Sequence, residues 1–160
     1  MLPHIQGIGR AICKKLLSDH PDVFVYLGSR DAGRGAKACE DLDRELGGGC
    51  GGRLQAITLD VTDDASVAAA AATVTRGAPD GLFGLVNNAG VGFGRTVEET
   101  LATNLYGARR VTEAFLPLVQ RGGRVVNIAS ASGPNFVAKL APEAQPFWAD
   151  PVQPVCSPQN

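Results

Sequence analysis

The sequence predicts an α/β fold: a doubly wound parallel sheet with helices on both faces. Three observations lead to this. Short apolar strand-like runs alternate with helical segments from the start of the chain to about residue 130. The runs are close to continuously apolar, as strands covered on both faces are. Right-handed crossovers between parallel strands then wind helices over both sides of the sheet.

The first helix spans residues 8 to 17, with Ile8, Ile12 and Leu16 on one face and Cys13 and Leu17 alongside. Val23 to Leu27, bounded by Pro21 and Gly28, reads as a buried strand. Residues 32 to 46, rich in Ala, Glu, Lys and Leu, form a helix that Gly47 to Gly49 end. The whole glycine run from 47 to 52 reads as a flexible loop, because no helix opens directly after it. Leu54 to Leu59 is the next strand, and an Ala-rich helix follows from about 63 to 76. Leu82 to Val86 is a third strand. Leu101, Leu105, Ala108, Phe115 and Val119 mark a long amphipathic helix that Gly122 and Gly123 stop. Arg124 to Ala129 is the last strand.

Beyond residue 133 the pattern fades among six prolines. One short helix is expected near Phe136 to Lys139 or Glu143 to Trp148, and the closing PVQPVCSPQN reads as unstructured. The organisation expected is therefore a domain over 1–133 and an irregular Pro-rich segment over 134–160.

Composition excludes several function classes. Hydrophobic residues make up 44% of the 160, enough for a core. Fifteen basic and sixteen acidic residues leave a formal charge of -1, so there is no footprint for nucleic acid or an anionic membrane. No apolar run reaches the roughly 20 residues of a membrane span, and no signal peptide follows Met1. A soluble, cytoplasmic protein is expected. Cys13, Cys39, Cys50 and Cys156 form no CxxC pair, and His4 and His20 are not spaced as ligands, so free thiols and no metal are expected.

Six places along the chain carry candidate chemistry. Gly7-Ile8-Gly9 opens the first helix, where unpaired N–H groups and the positive dipole end suit a pyrophosphate; a plain tight turn has the same residues. Arg30 ends the first strand present, with Arg34 nearby. In a dinucleotide site an Arg there accommodates a 2′-phosphate, where an acidic residue would bind a free 2′-hydroxyl; a solvated strand-end Arg is the alternative. Asp60-Val61 follows the next strand, and Asn87-Asn88-Ala89-Gly90 the third. Two amides can tie strands and a ligand together, and Ala-Gly leaves room for a flat ring; an Asn-rich turn is the plain reading. Asn104 lies among apolar helix residues and Ser130 closes a strand. Each serves either local bonding or a site.

Taken together and in this order, GIGRAI, LDVTD, NNAG, TNLYGARRVTEAFLPLV and GRVVNIASASG resemble the short-chain dehydrogenase/reductase family, over about residues 5 to 133. GSRDAGRGAKACEDL and the insert after Gly133 resemble its carbonyl-reductase branch, whose members are monomeric and NADPH-dependent. The resemblance implies a Rossmann-like fold and hydride transfer between NADPH and a small carbonyl or alcohol substrate. It implies that Gly7, Ile8 and Gly9 line the pyrophosphate and Arg30 the 2′-phosphate. Asp60 and Val61 would contact adenine, and Asn88, Ala89 and Gly90 the ribose and nicotinamide. Asn104 would hold a water of the proton relay and Ser130 the substrate carbonyl.

Two departures accompany the resemblance. The family's Tyr-x-x-x-Lys is absent, for the only tyrosines are Tyr26 and Tyr106. Only six residues, including Pro3, precede Gly7, where the family has its first strand. That strand is central, so the sheet is expected to be incomplete, lacking its first and last strands, with two unpaired inner edges. The expectation is a fragment inactive as given; the alternative is a catalytically silent nucleotide-binding or interaction module.

Overall fold

The computed structural model describes residues 7–149. Pro3, His4 and Cys156, and the segment expected to be unstructured from residue 151, lie outside the described residues. The chain forms two compact units, Met1–Asn127 and Ile128–Asn160.

In the first unit, helix α1 (Ile8–Asp19) leads to strand β1 (Val25–Ser29), helix α2 (Ala32–Glu45), strand β2 (Leu54–Thr58) and helix α3 (Asp64–Gly77). Strand β3 (Leu82–Asn87) follows, then a helix in three parts: α4 (Val97–Leu101), a π-helical turn (Ala102–Gly107) and α5 (Ala108–Phe115). A 3₁₀ turn (Leu116–Leu118) passes into strand β4 (Val119–Asn127). The helix starts follow local chemistry. Asp31 caps α2 by accepting from the Arg34 N–H, and Asp63 caps α3 by accepting from those of Ala65 and Ser66. Thr96 and Glu99 form a reciprocal capping box at α4.

Both ladders are parallel, β1 with β2 and β3 with β4, as the doubly wound α/β prediction requires. Among the described residues they form two separate two-stranded sheets. The edges of β1 and β3 that face away from their partners are therefore not laddered to any described strand, the situation expected of a sheet without its central strand. One apolar core nonetheless spans both sheets. Ile57 of β2, Val67, Ala70 and Val74 of α3, and Val111 and Phe115 of α5 are buried together, with Tyr26, Leu82 and Leu85 against them. A second core joins Leu17 of α1, Val25 of β1 and Cys50. The consecutive residues Val25 and Tyr26 serve different cores, so sheet β1–β2 is covered on both faces.

Three boundaries differ from the sequence reading. Strand β1 starts at Val25 rather than Val23, because its ladder begins opposite Leu54 and the Val23 carbonyl is taken by Arg53. The long helix ends at Phe115 rather than at Gly122, since Pro117 lacks the N–H needed to continue it. Gly122, at φ +85, and Gly123 lie inside β4, beside the register shift opposite Leu82 and Gly84.

Two polar clasps hold α1. Its N-terminal half is tied to α2, where Glu45 accepts from Arg10 at 2.6 Å and Lys14 at 3.0 Å. These two cations hold the Glu45 carboxyl down at about 2. A depressed carboxylate contributes stability that is complete above its unfolded value and is lost as pH falls toward the folded one. Acid titration between about pH 5 and pH 2 is thus expected to cost wild type more stability than Glu45→Gln, as followed by circular dichroism. At the other end, Arg53 donates to the carbonyls of Leu17, His20, Val23 and Gly49 at 2.9–3.3 Å.

In the second unit, α6 (Ser132–Val137) and α7 (Gln145–Ala149) are both short. Pro134 and Pro146 fall in their first turns, where the missing N–H costs nothing. Two helices thus form where one was expected. Trp148 packs edge-on against Phe136 and Phe147, with ring centroids 6.3 and 5.4 Å away. Among the described residues, no helix is long and apolar enough to cross a membrane.

Candidate functional site

The residues singled out from the first unit gather at the carboxyl ends of its strands and at the start of α1. Register fixes the first pair. Ser29 stands opposite Thr58 and its carbonyl accepts from the Leu59 N–H at 2.9 Å, so Arg30 and Asp60 leave the β1–β2 sheet at the same edge. Arg30 is exposed. The Asp60 carboxylate accepts from the Thr62 hydroxyl at 2.7 Å and the Thr62 N–H at 2.9 Å. Those two bonds, then the Arg30 charge, hold the Asp60 carboxyl below its ordinary value. Arg34 is paired with Asp31 at 3.6 Å. Val61 turns its side chain into the fold against Gly107, and its carbonyl accepts from Arg110 at 2.8 Å.

Gly7 and Gly9 have different surroundings. Gly7 is the N-cap residue of α1, in extended conformation and with no side-chain cap. A Cβ built on Gly7 meets nothing within 4 Å. Among the described residues, no side chain caps the first-turn N–H groups of α1. Gly9 is closed: a Cβ there would lie 2.5 Å from Asn88 Nδ2. Gly9 thus lets the start of α1 sit directly on the amide of Asn88, which joins the GxG and NNAG segments. Ile8 between them is exposed.

The two asparagines after β3 divide the work foreseen for them. Asn87 is structural: its Nδ2 donates to Thr112 Oγ1 of α5 and Asn127 Oδ1 of β4, both at 2.8 Å. Asn88 faces the α1 start. Ala89 and Gly90 are exposed. Asn104, in the π-helical turn, accepts from the Val91 N–H and donates to the Val91 carbonyl, both at 2.8 Å. Both ends of its amide thus fix the segment after Gly90, with one N–H and one oxygen lone pair left over, while the π turn leaves helix backbone groups out of the ordinary i to i−4 pattern.

Ser130 belongs to the second unit and follows the end of β4 by three residues rather than closing the strand. Its hydroxyl donates to Ser132 Oγ at 3.0 Å and accepts from the Ser132 N–H at 3.1 Å.

Sequence reasoning missed Thr112, Asn127, Gly107 and Val91. Asn127 had a signal, a polar residue inside the run Val125-Val126-Asn127-Ile128. The others are joined only by folding.

The donors of the site suit a dinucleotide: the helix-start N–H groups at Gly7 to Gly9, an exposed guanidinium at a strand end and an exposed Ala-Gly surface. The Arg10 Nε, in the first turn of α1, is buried and has no hydrogen-bond partner among the described residues.

The family profile described as short chain dehydrogenase matches residues 4–142. Human retinol dehydrogenase 16 is 37% identical over 147 residues, covering 75% of this chain and 46% of the relative. Menthone neomenthol reductase from Mentha piperita superposes with a TM-score of 0.78 at 30% identity, over 92% of this chain and 65% of the reductase. The NADPH-bound carbonyl reductase from chicken fatty liver gives 0.65 at 30% identity, over 81% and 57%. The chain belongs to the short-chain dehydrogenase family, oxidoreductases that use nicotinamide cofactors and act on small molecules. It spans less than half the length of the human relative named above.

Proposed function

We propose that this chain binds NADP and descends from oxidoreductases that move a hydride between NADPH and a carbonyl or alcohol substrate. The observation that carries the reading is the seat of Gly9 on Asn88, which joins the anion-binding start of α1 to the Asn88-Ala89-Gly90 surface. When bound, the nicotinamide ring supplies the hydride chemistry. The protein's own groups bind and orient. The open N–H groups at Gly7, Ile8 and Gly9 hold the pyrophosphate. Arg30 holds the 2′-phosphate, already beside the Asp60 charge. Asp60 and the Val61 backbone flank the adenine, while Asn88, Ala89 and Gly90 line the ribose and nicotinamide. Asn104, whose amide fixes the Val91 backbone, holds the relay water. Ser130 offers its hydroxyl to the substrate oxygen, stabilising the charge that develops there. The dinucleotide-binding portion is taken as residues 1–133, and the NADPH-bound state of the avian carbonyl reductase supports the choice of NADP.

The phosphate preference has a direct test. Replacing Arg30 with alanine removes one charge-assisted phosphate contact, worth about 1.5–3 kcal/mol. NADPH is then expected to bind some 10- to 100-fold more weakly, with NADH affinity within twofold of wild type, by titration of cofactor fluorescence. Equal losses for both cofactors would remove Arg30 from the site. The acid is a separate matter. No tyrosine follows Ser130 in the 160 residues, so the purified chain is expected to bind NADPH without ketone-dependent oxidation of it.

A further inference from the structure

The short segment between β2 and α3 is fastened from two directions. Its own polar residues supply the first set. The Asp60 N–H donates to Ser66 Oγ at 2.9 Å, the Asp60 carboxylate accepts from Thr62, and Asp63 caps α3. Turns that carry Asp and Thr commonly bond themselves in this way. Val61 is held differently, from α5, 49 residues further along the chain. Arg110 donates from Nη1 to the Val61 carbonyl at 2.8 Å and from Nε to Asp64, in the first turn of α3. One guanidinium thus grips the loop and the helix that follows it. Gly107, at the end of the π turn, makes the approach possible, because a Cβ there would lie 2.7 Å from Val61 Cγ2. The Asp64 side chain is 85% exposed and that of Arg110 27%, so the ion pair by itself adds little stability. It aims the planar fork, and the part-buried bond to the carbonyl is what the fork delivers. The neighbouring Arg109 does nothing of the kind, for it pairs with Glu113 on its own helix.

We propose that Arg110 is a positioning residue for the adenosine half of the cofactor: by holding the Val61 carbonyl from the α5 side, it fixes the peptide beside which the adenine lies. This role rests on the function proposed above, in which Asp60 and the Val61 backbone flank the adenine. With its side chain turned against Gly107 and its carbonyl bonded to Arg110, Val61 has its N–H to offer a ligand. A loop already fixed in that orientation does not have to be ordered when the nucleotide arrives, and binding gains by the cost avoided. The same helical run carries Asn104, whose amide fixes Val91. The stretch from Asn104 to Arg110 therefore holds both the loop after β2 and the loop after β3, which in the proposed function receive opposite ends of the dinucleotide.

The test titrates the purified 160-residue chain with two half-cofactors by ligand-observed NMR. Adenosine 2′,5′-bisphosphate carries the adenine and its neighbouring phosphates, and reduced nicotinamide mononucleotide carries the other half alone. Arg110→Ala is expected to weaken the adenosine bisphosphate about tenfold, the worth of one charge-assisted hydrogen bond, and to leave the mononucleotide within twofold of wild type. Asp64→Asn alters only an exposed side chain and frees the fork, so it should cost about two- to fivefold on the same ligand. Amide hydrogen exchange separates positioning from general loosening. In Arg110→Ala the amides of residues 60–63 should exchange faster, while the Val91 N–H, held by Asn104, keeps its wild-type rate. Wild-type affinity for the adenosine bisphosphate in both variants, or equal losses of the two ligands, overturns the proposal and leaves Arg110 a structural tie. Failure of the wild-type chain to bind adenosine bisphosphate at all counts against the function proposed above and removes this role with it, whereas binding that Arg110→Ala and Asp64→Asn leave unchanged counts against Arg110 alone.

Discussion

Replacing Arg53 with alanine is expected to lower the unfolding free energy by about 3 kcal/mol, the largest stability effect of any single side chain outside the apolar cores. Arg53 stands between the glycine run and β2 and spends its guanidinium on four carbonyls from three segments. Leu17 is in the last turn of α1 and His20 caps it, so two of the four are helix-end carbonyls that no intrahelical N–H can reach. Val23 leads into β1, and Gly49 lies in a loop where Gly47, Gly48, Gly51 and Gly52 all have positive φ. Such a loop loses much conformational freedom on folding, and the Arg53 bond to the Gly49 carbonyl adds to the backbone bonds that tie Gly47, Gly48 and Gly49 to the end of α2. The individual bonds, at about 1.5–3 kcal/mol each for a charged donor, do not add, because removing the cation lets water reach the exposed carbonyls. Lysine is expected to restore less than half of the loss, since one ammonium cannot reproduce the planar fork. Urea denaturation monitored by circular dichroism measures both. A loss under 1 kcal/mol would mean that the α1 end and the glycine loop are held by the apolar core around Leu17, Val25 and Cys50 alone.

That interaction also shows where the sequence stops being readable. The apolar runs at Val23, Leu54 and Leu82 are local signals, and the strands they predict form within two residues of the expected places. Among the described residues the two ladders are separate, in keeping with the incomplete sheet expected. The long-range polar bonds were not legible. Nothing near Arg53 marks it as a four-carbonyl donor, and nothing near Asn104 says that Val91 takes both halves of its amide. Pro117 was a local signal outvoted by the apolar stripe; the helix it ends shows that a missing N–H wins over amphipathic periodicity. Among candidate site residues, Gly9 and Asn88 were chosen for separate reasons and meet in the fold, whereas Val61 faces the core and is left with its backbone for any ligand.

Placing alanine at Gly7 and, separately, at Gly9 is expected to split ligand binding from folding. At Gly7 the backbone is extended at φ −78, ψ 171 and the added methyl meets nothing. Alanine caps a helix less well than glycine, yet it lowers the entropy of the unfolded chain. These terms oppose each other, so stability should change by less than about 1 kcal/mol. The same methyl occupies the space through which a pyrophosphate oxygen must approach the N–H groups, and NADPH is expected to bind at least tenfold more weakly. At Gly9 the methyl would lie 2.5 Å from Asn88 Nδ2. Helix propensity favours alanine by about 1 kcal/mol, but a contact that close forces Asn88 or the helix to move, at a cost of about 1–3 kcal/mol. A net loss of roughly 1–2 kcal/mol should result. Asn88→Ala in the same chain should return most of it, since the offending amide is gone, and the double-mutant coupling measures the contact directly. Thermal melts give the stabilities and fluorescence titration gives the affinities. Should Gly7→Ala bind NADPH as wild type does, the start of α1 would be a helix cap and nothing more, and the case for a nucleotide would rest on Arg30 alone.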